Sequence, residues 1–377
     1  MQRRQFMHLS STAAVAGAAT ALGLPMQASA ATATRAHPAG EGWRVYEITT
    51  TIDLSERTAQ GRVWVPLPAQ QLLGSDGSPY QQLLGTRHEA PGAQQARVVR
   101  GPAGAQMLQV QWTDPQAPQQ LKLVNEVALR DRATDLGEAG RGRTASDAAL
   151  RPWLQPSTLK PLDGVVGQTA RKITHEAGAH TDIEKARAIY DWIVANCHRN
   201  GSVRGCGTGD AAYVLTSGNL GGKCADLNGL FVALARASGV PARDIYGVRV
   251  DDSARGYKSL GKSGDISRAQ HCRAEFYAQG HGWVPVDPAD VRKVMLEEEK
   301  GGLPRADARV RAANALLFGA WESNWVGYNS AEDLRLPGSR QTAPLGFFMY
   351  PHGETAQGRL DSLDPASFRY SIQSRRA

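Results

Sequence analysis

The spacing of apolar residues changes period part-way along the chain, and that change limits the folds open to it. From Trp43 to about Arg132 apolar and polar residues alternate: Ile48, Thr50, Ile52 and Leu54 share one parity, as do Leu108, Val110 and Trp112, and later Leu121, Leu123, Val127 and Leu129. Side chains two apart lie on one face of a strand, so each run describes a half-buried strand. "GRVWVPLP" and "ARVVR" add short strands between Gly/Pro/Ser turns. Five or so strands with no intervening helix predict a small antiparallel β-sandwich domain over residues 41–135. Residues 136–160 lose all periodicity, are rich in Gly, Pro and small polar residues, and read as a linker.

Beyond residue 161 the period becomes helical. Thr181 and Glu184 form a capping box ahead of Ile183, Ala186, Tyr190 and Ile193. A second helix begins at Cys224, buries Leu227, Leu230, Phe231, Leu234 and Ala235, and stops at Gly239 with Pro241 beyond it. Strands follow, so 161–377 is expected to be an α+β domain with an aromatic-rich extension from about residue 297. There Trp321, Trp325, Tyr328, Phe347, Phe348 and Tyr350 read as strand-core residues, a subset of which could line a cleft.

Residues 1–30 carry a twin arginine, an Ala-rich apolar stretch and the small-residue run Ala28-Ser29-Ala30, the order of a twin-arginine export signal peptide. The apolar part is too short for a spanning helix and no later stretch is apolar enough. The expectation is an exported, periplasmic protein without a stable transmembrane segment. The formal charge of +7 is spread along the chain with no dense basic stripe and interleaved aromatics, which speaks against nucleic acid as a partner.

Of the four cysteines, Cys197 and Cys206 are close in sequence across a polar, Gly-rich loop and are the favoured disulfide in an oxidising compartment. Zinc is disfavoured by the absence of a Cys-x-x-Cys pair and of a His pair at ligand spacing, and no metal or cofactor is expected. Cys224 sits at a helix start beside Lys223, where N–H groups and the macrodipole favour a thiolate; a buried structural cysteine is the bland alternative. His271 shares a strand face with Arg273 and Glu275, while Cys272 belongs to the other face and reads as a core thiol. A hairpin with an odd-numbered loop near Gln279 or Gly280 puts Asp287 opposite His271 or diagonal to it on the same face, the relation of a base to its orienting carboxylate. Taken singly, His271 fits a strand histidine and Asp287 a turn residue before Pro288 equally well. Oxyanion-hole candidates are the backbone N–H of Cys224 and the side chains of Asn219 and Gln270.

"GGKCADLNGLFVALARASGVPAR" together with "QHCRAEFYAQGHGWVPVDPAD" resembles the nucleophile helix and the His and Asp strands of the transglutaminase-like superfamily. That resemblance implies a papain-like thiol domain with Cys224 as nucleophile, His271 as base and Asp287 as third member of a triad. Asp226 and the Pro241-Ala242-Arg243 run match features that recur there. The family usually carries Ala-Trp after the histidine, whereas Cys272-Arg273 stands here, and the calcium sites of animal crosslinking enzymes are not recognisable. The expected activity is thiol acyl transfer through a thioester, with hydrolysis of a peptide or amide bond in a cell-envelope peptide or protein preferred. Crosslinking by glutaminyl transfer is one alternative, and a non-catalytic envelope scaffold or binding module is another.

Overall fold

The computed structural model describes residues 41–54, 60–137, 140 and 142–377; the expected signal peptide lies outside the described residues. The N-terminal strands are β1 (Arg44–Asp53), β2 (Arg62–Pro66), β3 (Gln71–Leu73), β4 (Pro79–Glu89), β5 (Gln95–Arg100), β6 (Gln106–Gln111), β7 (Gln120–Leu129) and β8 (Arg132–Ala133). Helices α1 (Asp147–Leu150), α2 (Gly164–Glu176) and α3 (Asp182–Asn196) follow, then β9 (His198–Arg199), α4 (Ala211–Thr216), β10 (Gly221–Gly222) and α5 (Cys224–Ala237). Next come β11 (Ala242–Arg249), β12 (Gly264–Asp265), β13 (Gln270–Ala278), β14 (Gly282–Val286), α6 (Pro288–Glu297) and α7 (Ala308–Leu316). The chain ends with β15 (Ala320–Trp321), β16 (Trp325–Asn329), β17 (His352–Thr355), β18 (Gly358–Arg359) and β19 (Tyr370–Arg376).

The alternation read from the sequence has the expected consequence. Ile48 and Ile52 of β1, Leu123 and Val127 of β7, Val63 and Val65 of β2 and Leu108 and Val110 of β6 meet in one core. These residues face each other across two antiparallel sheets, in the orders β12-β19-β1-β7-β4-β3 and β18-β17-β2-β6-β5. The sandwich is not, however, a self-contained N-terminal unit. Strand β19 pairs with β1 from Tyr46↔Arg376 to Ile52↔Tyr370, and β17 pairs with β2. The aromatic extension assigned to the second domain therefore completes both sheets of the first, and the described residues cluster as one compact unit. Trp64, on the outer face of β2, is covered in turn by Leu334, Leu336 and Phe348.

The linker expected over 136–160 is also docked. Gly140 and Gly142 donate their backbone N–H groups to the Gly280 carbonyl, both at 2.9 Å, and Arg143 N–H reaches Ser75 O at 2.7 Å. His281, which in an open hairpin turn would face water, is consequently buried.

In the second half, a four-stranded antiparallel sheet, β14-β13-β11-β16, packs against α5. Every residue of α5 from Cys224 to Arg236 is buried, so the helix is a central rod rather than an amphipathic surface element. It ends as its sequence predicts, with Gly239 at φ +81° and the Val240 N–H returning to Ala235 O at 2.9 Å. Among the described residues no helix is long and apolar enough to cross a membrane.

Buried charge ties the C-terminal segment to this core. Lys160 Nζ lies 3.0 Å from Glu332 Oε1 and 3.2 Å from Asp244, and Arg236 Nη1 of α5 lies 3.0 Å from Glu332 Oε2. Burial works to raise the Glu332 carboxyl, but Lys160 and Arg236 hold it down to about 2. Because that value lies below the ordinary one of 4.5, its contribution to stability is complete above 4.5 and is lost as pH falls through about 2. Glu332→Ala leaves two buried cations short of a partner and is expected to cost on the order of 3 kcal/mol in denaturant unfolding at neutral pH, with a smaller cost in strong acid.

Candidate functional site

Position 224 becomes a helix start because of the residue two further on. Asp226 Oδ2 accepts the Lys223 N–H at 2.9 Å, while its Oδ1 accepts the N–H groups of Thr208 at 2.9 Å and Gly209 at 3.0 Å. Three backbone donors thus converge on one carboxylate that caps α5 and anchors the preceding loop. Only glycine fits around it: a Cβ on Gly207, at φ +94°, would lie 1.8 Å from Asp226 Oδ2, and one on Gly222 2.4 Å from its Cβ. With that loop fixed, Ala225 N–H donates to Cys206 O at 2.9 Å, which draws Cys206 over the first turn of α5. The Cys224 N–H, first in the helix, has no partner within the helix ladder.

His271 and Asp287 arrive on the hairpin of β13 and β14. The register runs from Ala274↔Val286 to Ala278↔Gly282, a three-residue turn centred on Gly280. Asp287 therefore lies diagonal to His271 on the same face, and its Oδ2 is 2.7 Å from His271 Nε2. That bond leaves Nδ1 as the ring nitrogen for the sulfur side. Asp287 also starts α6, its Oδ1 accepting the Asp290 N–H at 3.1 Å. Asn228, one turn after Cys224 on α5, donates to Asp287 Oδ1 at 3.0 Å and to the Cys272 carbonyl at 2.9 Å. Helix, strand and carboxylate are locked together by this single amide.

The charges around the pair set its protonation. Burial and the Arg249 guanidinium work against a charged His271, but the carboxylates of Asp290 and Asp287 prevail and push its imidazole up to about 10. Cys224 is held well below an ordinary thiol, chiefly by hydrogen bonds from Cys206 and Cys272, with His271 adding a bond and its positive charge against the cost of burial. Both shifts act in the same sense, favouring the charged forms of the thiol and the imidazole. Asp290 sits 3.4 Å from His271 Nε2, and Arg249 grips both its oxygens at 2.6 and 2.8 Å. His271, Asp287 and Asp290 are close enough to share a cation, yet Arg249 on Asp290 and Arg273 at 3.8 Å from Asp287 already supply positive charge there.

Cys224 and His271, each 4% exposed, form the floor of a cleft of about 970 Å³ that Gln270, Tyr350 and Tyr370 also line. Of the oxyanion candidates, Gln270 is brought to the site. Its side chain is 7% exposed, and its Nε2 has no hydrogen-bond partner among the described residues. Asn219 is not brought there; it is exposed, and its Oδ1 accepts the Gly221 N–H at 2.8 Å as an ordinary turn residue. The Cys197–Cys206 bridge is likewise not made, since all four cysteines are free thiols. Cys197 ends α3 inside the core, where burial pushes its thiol up to about 12. Cys206 turns instead towards Cys224, and its single S–H proton has two acceptors within reach, the Cys224 sulfur and Gln270 O at 3.1 Å. Cys272 is a core thiol by burial but also reaches Cys224: alternation separates it from His271, not from a sulfur placed over the first residues of β13.

A family model described as the transglutaminase-like superfamily matches residues 167–288, the span that holds Cys224, His271 and Asp287. Over 350 residues the chain is 36% identical to an uncharacterised protein of Haemophilus influenzae, a match covering 88% of this chain and 91% of that one. The chain belongs to the transglutaminase-like superfamily. Similar solved structures include a candidate cysteine protease from Cytophaga hutchinsonii, with 18% identity, a TM-score of 0.49 and coverage of 89% of this chain and 99% of that one. Another is the periplasmic domain of TgpA from Pseudomonas aeruginosa, with 15% identity, a TM-score of 0.36 and coverage of 73% and 93%.

This member of the superfamily departs from the usual sequence just after its histidine, and indoles from elsewhere fill the neighbourhood. Trp325 of β16 donates Nε1–H to the His271 carbonyl at 2.8 Å, and Arg273 lies over the Trp325 ring, 4.9 Å from its centroid. Cys206, Asn228 and Asp290 escaped the sequence reading; only Asn228, a polar residue four places after Cys224 in an apolar helix, left a periodic signal. If Cys206 stabilises the thiolate, Cys206→Ala is expected to move the pH midpoint of Cys224 alkylation by iodoacetamide upward. Asp226→Ala, which frees the loop as well, is expected to move it further, with Cys197 read by peptide mapping as the internal control.

Proposed function

We propose that the protein is an exported thiol acyl-transfer enzyme that hydrolyses a peptide or amide bond through Cys224, His271 and Asp287. The observation that carries this reading is a cysteine at a helix N-terminus that lines one cleft with a histidine whose Nε2 is 2.7 Å from a buried carboxylate. In the first half-reaction the Cys224 thiolate attacks the carbonyl carbon, and the oxygen takes the negative charge. The Cys224 N–H and Gln270 Nε2 are the donors for that oxyanion. His271 passes its proton to the departing amine as the C–N bond breaks, leaving a thioester. A water then gives a proton to His271 and attacks the thioester, and the carboxylic acid leaves as the thiolate re-forms. Asp287, itself held by Asn228, keeps the imidazole in the one orientation that serves both steps.

Hydrolysis is preferred over amine transfer because the cleft is wide and lined by charged side chains, so water has access to the floor. Export and an envelope substrate rest on the twin-arginine start of the sequence.

Turnover of peptide and amide substrates in heavy-oxygen water, with and without an added alkylamine, tests this reading. One heavy oxygen should enter each new carboxyl group, and Cys224→Ala should abolish the product. Gln270→Ala is expected to lower kcat by about 10²–10³ with KM little changed. Dominant incorporation of the amine would make the protein a transferase, and the absence of any acylation of Cys224 would leave it a scaffold.

A further inference from the structure

The cleft beside Cys224 carries positive charge that the proposed chemistry does not use. Several of its cations are matched: Arg249 is bound to Asp290, Arg204 to Asp361, and Arg199 and Lys293 share Glu297. Lys223, Lys262 and Arg268 line the same cleft, and no ion pair forms at any of them among the described residues. Asp265 is the one carboxylate among the lining residues; it lies within electrostatic reach of Lys262 and Arg268 but cannot balance both. Its Oδ1 is already occupied by the N–H and hydroxyl of Ser267, at 3.0 and 2.6 Å.

Lys223 immediately precedes Cys224, and Lys262 and Arg268 stand in the segment that leads into β13 and His271. A chain laid in the cleft beside Cys224 would meet uncompensated cations from both segments. Concave sites lined by one sign of charge concentrate oppositely charged ligands and orient them as they arrive. Half-buried Lys223 and exposed Lys262 and Arg268 remain hydrated while the cleft is empty, so an incoming carboxylate gains an ion pair with little desolvation at the outer two.

We propose that the acyl donor is an acidic peptide whose carboxylates are received by Lys223, Lys262 and Arg268. This rests on the acyl-transfer reading above and names the substrate class of that site.

Charge-selective alkylation tests the idea without requiring turnover. In both reagents the Cys224 thiolate displaces iodide, so the ratio of the iodoacetate to the iodoacetamide rate reports the local preference for an anion. The ratio in the wild-type protein should fall on the order of 3–10-fold in Lys262→Gln/Arg268→Gln, and in the wild type it should fall as salt is raised. A Glu-rich peptide should slow iodoacetamide labelling of Cys224 more than its Gln counterpart does. A ratio unchanged by the double substitution, with Cys224 still alkylated readily, would overturn the substrate class and leave the acyl-transfer reading intact. Protection by anionic phospholipid vesicles and not by the peptide would overturn it in favour of a membrane surface. Inertness of Cys224 to both reagents would bring down both readings together.

Discussion

The setting of one sulfur, 4% exposed at the floor of an open cleft, is the constraint on which the rest of this structure depends. A thiolate with little access to water is costly unless donors surround it, and here they come from separate parts of the chain. Cys206 is delivered by the loop before α4, Cys272 and His271 by β13, and the helix itself adds the field of its N-terminus. None of these groups would be in place without a second layer of polar bonds. Asp226 pins the loop, Asn228 bridges α5 to Asp287, and Asp287 caps α6 while it orients the imidazole. Each of these side chains serves an element of the fold and the chemistry at once, so the fold cannot relax locally without changing the site.

The same logic explains why the sandwich and the thiol domain are interlocked. A strand buried on both faces, as all nine residues of β13 are, needs a cover opposite α5. The cover includes Tyr80 of the sandwich with Trp321 and Trp325, which pack against Ile245. Arg132, at the end of the sandwich, enters this layer between the Tyr80 and Trp321 rings and pairs with buried Glu275 on β13. Arg243 holds the other oxygen of that carboxylate. Strand β19 then returns to lie beside β1, so the first strand and the last are hydrogen-bonded neighbours. The hairpin that carries His271 and Asp287 is thus supported by a sheet that neither half of the chain builds alone.

Much of this could be read from the residues in order. The Gly-Gly-Lys-Cys run announced a helix start, and strand parity with a turn near Gln279 or Gly280 put Asp287 on the face of His271. Local periodicity carries such information because it concerns neighbours in sequence. What escaped is what long-range pairing decides. Nothing in the spacing of Cys197 and Cys206 says that one ends a helix in the core and the other turns to Cys224. Strands β17 and β19 looked like part of the second domain because their partners lie near the other end of the chain. Gln270 was one candidate among several until its buried, unpartnered amide distinguished it from Asn219.

The ultraviolet absorbance of thiolate, taken as the difference between the wild-type protein and Cys224→Ser across pH, tests the central claim most directly. The account predicts that one thiolate's absorbance is present at neutral pH and disappears only well below the ordinary thiol value of about 8.5. A difference that is absent at neutral pH and grows in only as pH rises through that ordinary value would contradict it.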